Sequence, residues 1–224
     1  MRGDCEVWLY GSRARGNADQ SSDTDLLVVA DSEDQVADAI KGLDFPKVNV
    51  SFYSWAEIER MQTYGSLYLC HIAEEGVQLR CFGADRLERI LIDLPRFTRA
   101  RDDLAGFRKA LIEGKEALAE GSWPDFECEV IATVARHAAI LGSYCSGQPA
   151  FGRELPFYVS GEALSYSKAE IEQLVGPATK WRFHRPGPHE TPAQMDSWLT
   201  RVEKFLIDLD EVVDDYQRVL LIAA

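Results

Sequence analysis

The chain has 224 residues, of which 24 are Lys or Arg and 37 Asp or Glu, for a net charge of −13, with 46% hydrophobic and 27% charged residues. Such a length suits one or two domains of ordinary globular composition, and no stretch approaches the ~20 consecutive apolar residues of a membrane span. The acidic balance, shared by both halves, repels a phosphate backbone; it disfavours general nucleic-acid binding and suits a cationic small molecule. Five cysteines (Cys5, Cys70, Cys81, Cys128, Cys145) without any C-x-x-C spacing argue against a disulfide framework and a structural zinc site. The opening segment MRGDCEVWLYGS lacks a long apolar run and a small-residue cleavage site, so a cytoplasmic protein is expected.

In chain order, Glu6 to Tyr10 reads as a buried strand ended by Gly11-Ser12, and Asp25 to Ala30 as a second strand. Ser32 then precedes a helical pattern over Glu33–Leu43, making a strand–helix crossover. Lys47 to Tyr53 alternates with period two as a third strand, its outward face carrying Asn49, Ser51 and Tyr53. Ser54 with Glu57 forms a capping box, Leu67–Ala73 is helical, and Val77–Cys81 after Gly76 is a final strand. From about Asp85 onward strand signals vanish. Apolar residues at helical spacing occupy Thr98–Glu120, Pro124–Ser146, Ser167–Leu174 and Pro192–Ala224, with an ordered loop expected over Gly176–Pro192. The expected fold class is α+β: a small mixed sheet with flanking helices over residues 1–84, then an all-α bundle over residues 85–224.

The chemistry concentrates between Gly11 and Val28. Asp23 and Asp25, two apart at the head of an apolar strand, emerge on one face and can share divalent cations. Carboxylates completed by phosphate oxygens suit Mg²⁺ (or Mn²⁺) better than zinc or copper. Gly11-Ser12, ahead of a short helix, offers backbone N–H groups and a hydroxyl to phosphates. Taken singly, D-x-D is more often a solvated strand end and Gly-Ser a plain turn. Arg13 or Arg15 reaches a phosphate or stands as a surface arginine.

Gly11-Ser12, the following Arg15-Gly16, and Ser22-Asp23-Thr24-Asp25-Leu26 together resemble the polymerase-beta-like nucleotidyltransferase superfamily, in particular its minimal and antibiotic-type members. The resemblance covers roughly residues 5–82. It implies that Gly11, Ser12 and Arg13 hold a nucleoside triphosphate such as ATP, and that Asp23 and Asp25 ligate the metals of an in-line displacement. It also implies transfer of a nucleoside monophosphate to a hydroxyl of a small molecule or protein, with the helical bundle forming the acceptor pocket. The superfamily's third carboxylate, metal ligand and base, is missing here: the matching strand offers Asn49, whose amide oxygen can ligate a metal but cannot take a proton. The alternative is therefore a degenerate transferase that binds nucleotide or a partner protein without turnover, as an antitoxin or sensor; a third reading is modification of a partner toxin.

Outside this motif, Arg136-His137 sits in an apolar helix, where a structural role outweighs a catalytic one, and their adjacency fails the spacing of an Arg–His RNase helix. Glu127, Glu129 and the acidic run Asp208–Asp215 read as solvated helix faces. Trp181, Phe183, His184 and His189 form either a lid over a substrate ring or an apolar anchor of the bundle. An open sheet edge or helical face would be covered by a homodimer.

Overall fold

Side chains alternating between two covered faces build the sheet. The computed structural model describes residues 4–20, 22–121, 124–183 and 192–223. Its strands are β1 (Cys5–Tyr10), β2 (Thr24–Ala30), β3 (Val48–Ser54) and β4 (Val77–Phe82), ordered β3-β2-β1-β4. β1 pairs antiparallel with β2 and β4, whereas β2 and β3 are parallel, so the sheet is mixed. Leu26 to Ala30 are fully buried, as a central strand covered on both faces requires.

One face of the sheet presents Trp8, Tyr10, Leu27 and Val29 to α2 (Trp55–Gln62), α3 (Leu67–Glu75) and α4 (Arg86–Ile92), whose Trp55, Ile58, Leu69, Ile72, Leu87 and Ile90 complete the cluster. The other presents Cys5, Val7, Val28 and Ala30 to Ala39 of α1 (Val36–Ile40). The crossover helix expected over Glu33–Leu43 is shorter than its pattern: a 3₁₀ turn at Glu33–Gln35 leads into α1, which stops before Lys41-Gly42. Gly42 at φ +78 ends it. Ser54 caps α2, its hydroxyl accepting the Glu57 N–H while the Glu57 carboxylate accepts the Ser54 N–H at 2.8 Å.

Two compact units emerge, Met1–Thr98 and Arg99–Ala224. The division lies later than the expected one after residue 84. The reason is α4, which the strand-centred reading passed over: Leu87 and Ile90 are buried in the sheet's own core, and its first two amides are capped by Glu6.

The regular elements of the second unit among its described residues are all helices: α5 (Ala100–Ala119), α6 (Pro124–Cys145), α7 (Leu155–Ala163), α8 (Lys168–Phe183) and α9 (Pro192–Ala223). α6 packs against the other four. Two expectations fail here. α7 was not anticipated, and α8 runs on through Pro177 into the segment read as a loop from Gly176. A proline inside a helix costs about 3 kcal/mol, but Ile171, Leu174, Val175 and Ala178 are buried at helical spacing across it, and that burial outweighs the loss. Trp181 lies on α8 with its indole N–H buried, which agrees with an anchoring role; His184 and His189, and the Phe183 side chain, lie outside the described residues.

The acidic run on α9 is largely paired rather than merely solvated. Arg108 on α5 donates to Asp210 at 2.6 Å and to the Leu206 carbonyl at 2.7 Å, Arg101 pairs with Asp210 and Asp214, and Lys204 and Tyr166 both donate to Asp208. Arg136 donates to the Phe151 carbonyl at 2.8 Å, tying α6 to the segment before α7, and His137 lies against the Phe107 ring. Both thus take structural positions. All five cysteines are thiols, and no helix among the described residues is long and apolar enough to cross a membrane.

Candidate nucleotide site

β1 ends at Tyr10, and the chain enters a turn over Gly11–Gly16. Gly11 sits at φ +77, a conformation in which only glycine is unstrained. The short helix expected after Ser12 does not form. Instead Arg15 N–H donates to the Gly11 carbonyl (3.1 Å), Gly16 N–H to Arg13 (3.2 Å) and Asn17 N–H to Ser12 (3.0 Å), a closed turn that Gly16 at φ +74 and the poor helix formers after it do not extend. Any phosphate donors here are turn amides, not a helix N-terminus.

The loop returning to β2 is closed on itself. Ser22 Oγ donates to Asp19 (3.0 Å) and accepts the Asp19 N–H, while buried Thr24 donates to the Pro46 carbonyl at 2.6 Å. Ser22 and Thr24 are therefore turned inward. By the two-residue period Asp23 and Asp25 fall on the opposite side, Asp23 exposed and Asp25 half-buried. Arg13 braces this loop by donating to the Ser22 carbonyl at 2.9 Å.

Register brings three of the named residues together. Asp25 stands opposite Tyr10 on β1 and beside Asn49 on β3. Its Oδ2 lies where a Cβ on Gly11 would approach within 2.6 Å, and its Oδ1 accepts a hydrogen bond from Asn49 Nδ2 at 3.1 Å. A carboxylate only accepts, so the Asn49 amide presents its N–H₂ to Asp25 and turns its oxygen away. Ser51 and Tyr53, expected on an outward face, turn toward the helices instead: Tyr10 and Ser51 share a hydrogen bond of 3.0 Å, and Tyr53 packs on the core. Among the described residues no group of three or more His, Cys, Asp or Glu side chains converges as a metal site, and position 49 adds no carboxylate to Asp23 and Asp25.

The residues that sequence reasoning missed lie on α3. Glu75 accepts the Gly11 N–H at 2.8 Å, the Arg15 guanidinium at 2.6 and 2.7 Å, and a short hydrogen bond from His71. Burial alone pushes the Glu75 carboxyl up, but the hydrogen bonds and positive charge of His71 and Arg15 outweigh it and hold it below the usual carboxylate range. Arg15 is thus an ion-pair partner of the turn's own anchor. The available signal was His71 and Glu75 four apart on one helix, with Glu75 immediately before Gly76. Tyr10 bridges the two groups, its ring edge-on to Tyr68 at 5.8 Å and to His71 at 5.5 Å.

Comparison with known proteins bears on the first unit. None of the curated proteins matches the chain. Among solved structures it is similar to a crystal structure of a spectinomycin adenyltransferase from Enterococcus faecialis with ATP and spectinomycin, at 12% identity over 93% of this chain and 92% of that one, with a TM-score of 0.49. Residues 1–79, which hold the Gly11 turn, both aspartates and Asn49, match the family described as nucleotidyltransferase domain. Over residues 1–79 the N-terminal unit is therefore similar to nucleotidyltransferase domains.

Proposed function

We propose that the chain transfers a nucleoside monophosphate from a nucleoside triphosphate, ATP first among them, to a hydroxyl of a small molecule or protein. The observation that carries this reading is the convergence of the Gly11 turn and Asp25 at one end of the sheet, within a segment that matches nucleotidyltransferase domains. Ser12 offers its N–H and hydroxyl to the triphosphate, Gly11 without a side chain lets the turn approach it, and Arg13 keeps the loop between them and Asp23 in place.

The donor set fits a hard divalent cation: Asp23 and Asp25 supply carboxylate oxygens beside the phosphate turn, and they would hold Mg²⁺ or Mn²⁺ with Asn49 as a neutral third neighbour. A cation bound there supplies charge neutralisation on the phosphates and lowers the pKa of the acceptor hydroxyl. In the transfer, the acceptor oxygen bonds to the α-phosphorus as the α–β bridging bond breaks, and pyrophosphate leaves. Asn49 cannot accept the hydroxyl proton, so the proton must pass to an acceptor other than residue 49.

The Asn49 to Asp25 hydrogen bond favours a second reading, in which nucleotide binds without turnover. It uses one Asp25 oxygen and directs the amide's donor face to the place of a missing carboxylate. Calorimetric titration of ATP with Mg²⁺ into wild type, Asp23→Ala and Asn49→Asp, followed by pyrophosphate release on the same samples, separates the two. Binding lost in Asp23→Ala with release by the wild type supports the transferase; release only by Asn49→Asp supports binding without turnover; binding by none refutes both.

A further inference from the structure

We propose that Glu75 is a positioning residue of the nucleotide site, setting the phosphate-binding turn from the C-terminal end of α3; the assignment rests on the function proposed above. Its Oε1 accepts from Gly11 N–H, Arg15 and His71, and its Oε2 from Arg15. Because a carboxylate only accepts, the His71 Nε2 must carry a proton. Gly11 is the first residue after β1, and at φ +77 its flanking peptides have alternatives that a side chain would forbid. The bond from Gly11 N–H to Glu75 fixes the plane of the Tyr10–Gly11 peptide. The bond from Arg15 N–H to the Gly11 carbonyl, with Arg15's guanidinium on the same Glu75, closes a second tie. Between them they determine where the Ser12 N–H and hydroxyl point.

Charge agrees with this role. Glu75 adds a carboxylate beside a turn meant for a triphosphate, and its side chain is only 10% exposed. Arg15 offsets that charge. Arg15 acts as Glu75's counter-charge and not as a phosphate ligand.

The test is calorimetric titration of ATP with Mg²⁺ into wild type, Glu75→Ala and Glu75→Gln, with the Gly11 amide resonance and the thermal midpoint of each. Glu75→Ala is expected to weaken binding by about tenfold or more, with the Gly11 amide proton shifted upfield as its acceptor disappears. Glu75→Gln is expected to stay within about threefold of wild type, because an amide oxygen can take the place of Oε1 and still accept from Gly11. Wild-type affinity in Glu75→Ala, or equal losses in Ala and Gln, would overturn the assignment while leaving the transferase intact. Absence of binding by the wild type overturns both. If Glu75→Ala does not fold, Glu75→Asp, which shortens the reach to Gly11, replaces it with the same expected loss.

Discussion

A Cβ on Gly11 would stand 2.6 Å from Asp25 Oδ2, and the backbone there is left-handed. Gly11→Ala is therefore expected to cost about 1–2 kcal/mol from the backbone alone and to push Asp25 out of place. Its signature is a lower thermal midpoint together with loss of metal-dependent nucleotide binding; unchanged binding would detach Asp25 from the site. Glu75 makes a pH-dependent prediction. Its carboxyl titrates below the ordinary value when folded, so its stabilisation is present above an unfolded pKa of about 4.3 and is lost as pH falls through the folded value. The difference in melting temperature between wild type and Glu75→Gln should be full at pH 6 and shrink below about pH 4; a constant difference down to pH 3 contradicts it. In the second unit, burial, with a smaller contribution from Asp103, pushes the Cys145 thiol up to about 12. Alkylation of Cys145 in the folded protein at pH 8 should then run roughly a hundredfold or more slower than in the unfolded chain, measured by mass spectrometry.

Elements are joined through a few buried polar groups. Glu6, 0% exposed near the start of β1, accepts from Trp8 Nε1 (3.0 Å), Gln78 on β4 (3.1 Å) and the first two amides of α4 (2.7 and 2.9 Å). One carboxylate thus ties two strands to a helix and satisfies donors that burial would otherwise orphan. Glu6→Ala should destabilise the first unit by about 3 kcal/mol or more, read from urea unfolding, whereas loss of the α2 cap in Ser54→Ala should cost only about 1 kcal/mol. Equal small losses would mean that water replaces Glu6. In the sequence Glu6 reads only as the first residue of a buried strand, and nothing local says what its carboxylate meets. The α4 amides that occupy it come from residues some eighty positions later.

At the scale of the molecule, each unit encloses its own apolar core, the second around Ile131, Ala135, Phe157, Trp198 and Phe205. Residues 99–224 expressed alone are therefore expected to keep a helical circular-dichroism spectrum and a cooperative thermal transition. A broad, non-cooperative melt would show that this core depends on the other unit. The same independence explains why the change from strand to helix periodicity was visible along the chain, while the boundary itself was not: Leu87 and Ile90 have helical spacing whichever core they join.

The four strands, the capping box at Ser54 and the pair Asp23/Asp25 could be read from the sequence because each depends on neighbours within a few residues, through pleat alternation, a local side-chain cap and turn chemistry. Asn49 was named through the resemblance to the superfamily, and the β2–β3 register stands it beside Asp25. Tertiary structure alone decided the rest. Glu75 meets Gly11 across 64 residues, α8 continues through Pro177 on the strength of its buried face, and the Asn49 amide turns its donor side to Asp25. These outcomes depend on contacts between segments distant in the chain, where packing and hydrogen-bond satisfaction override local propensity.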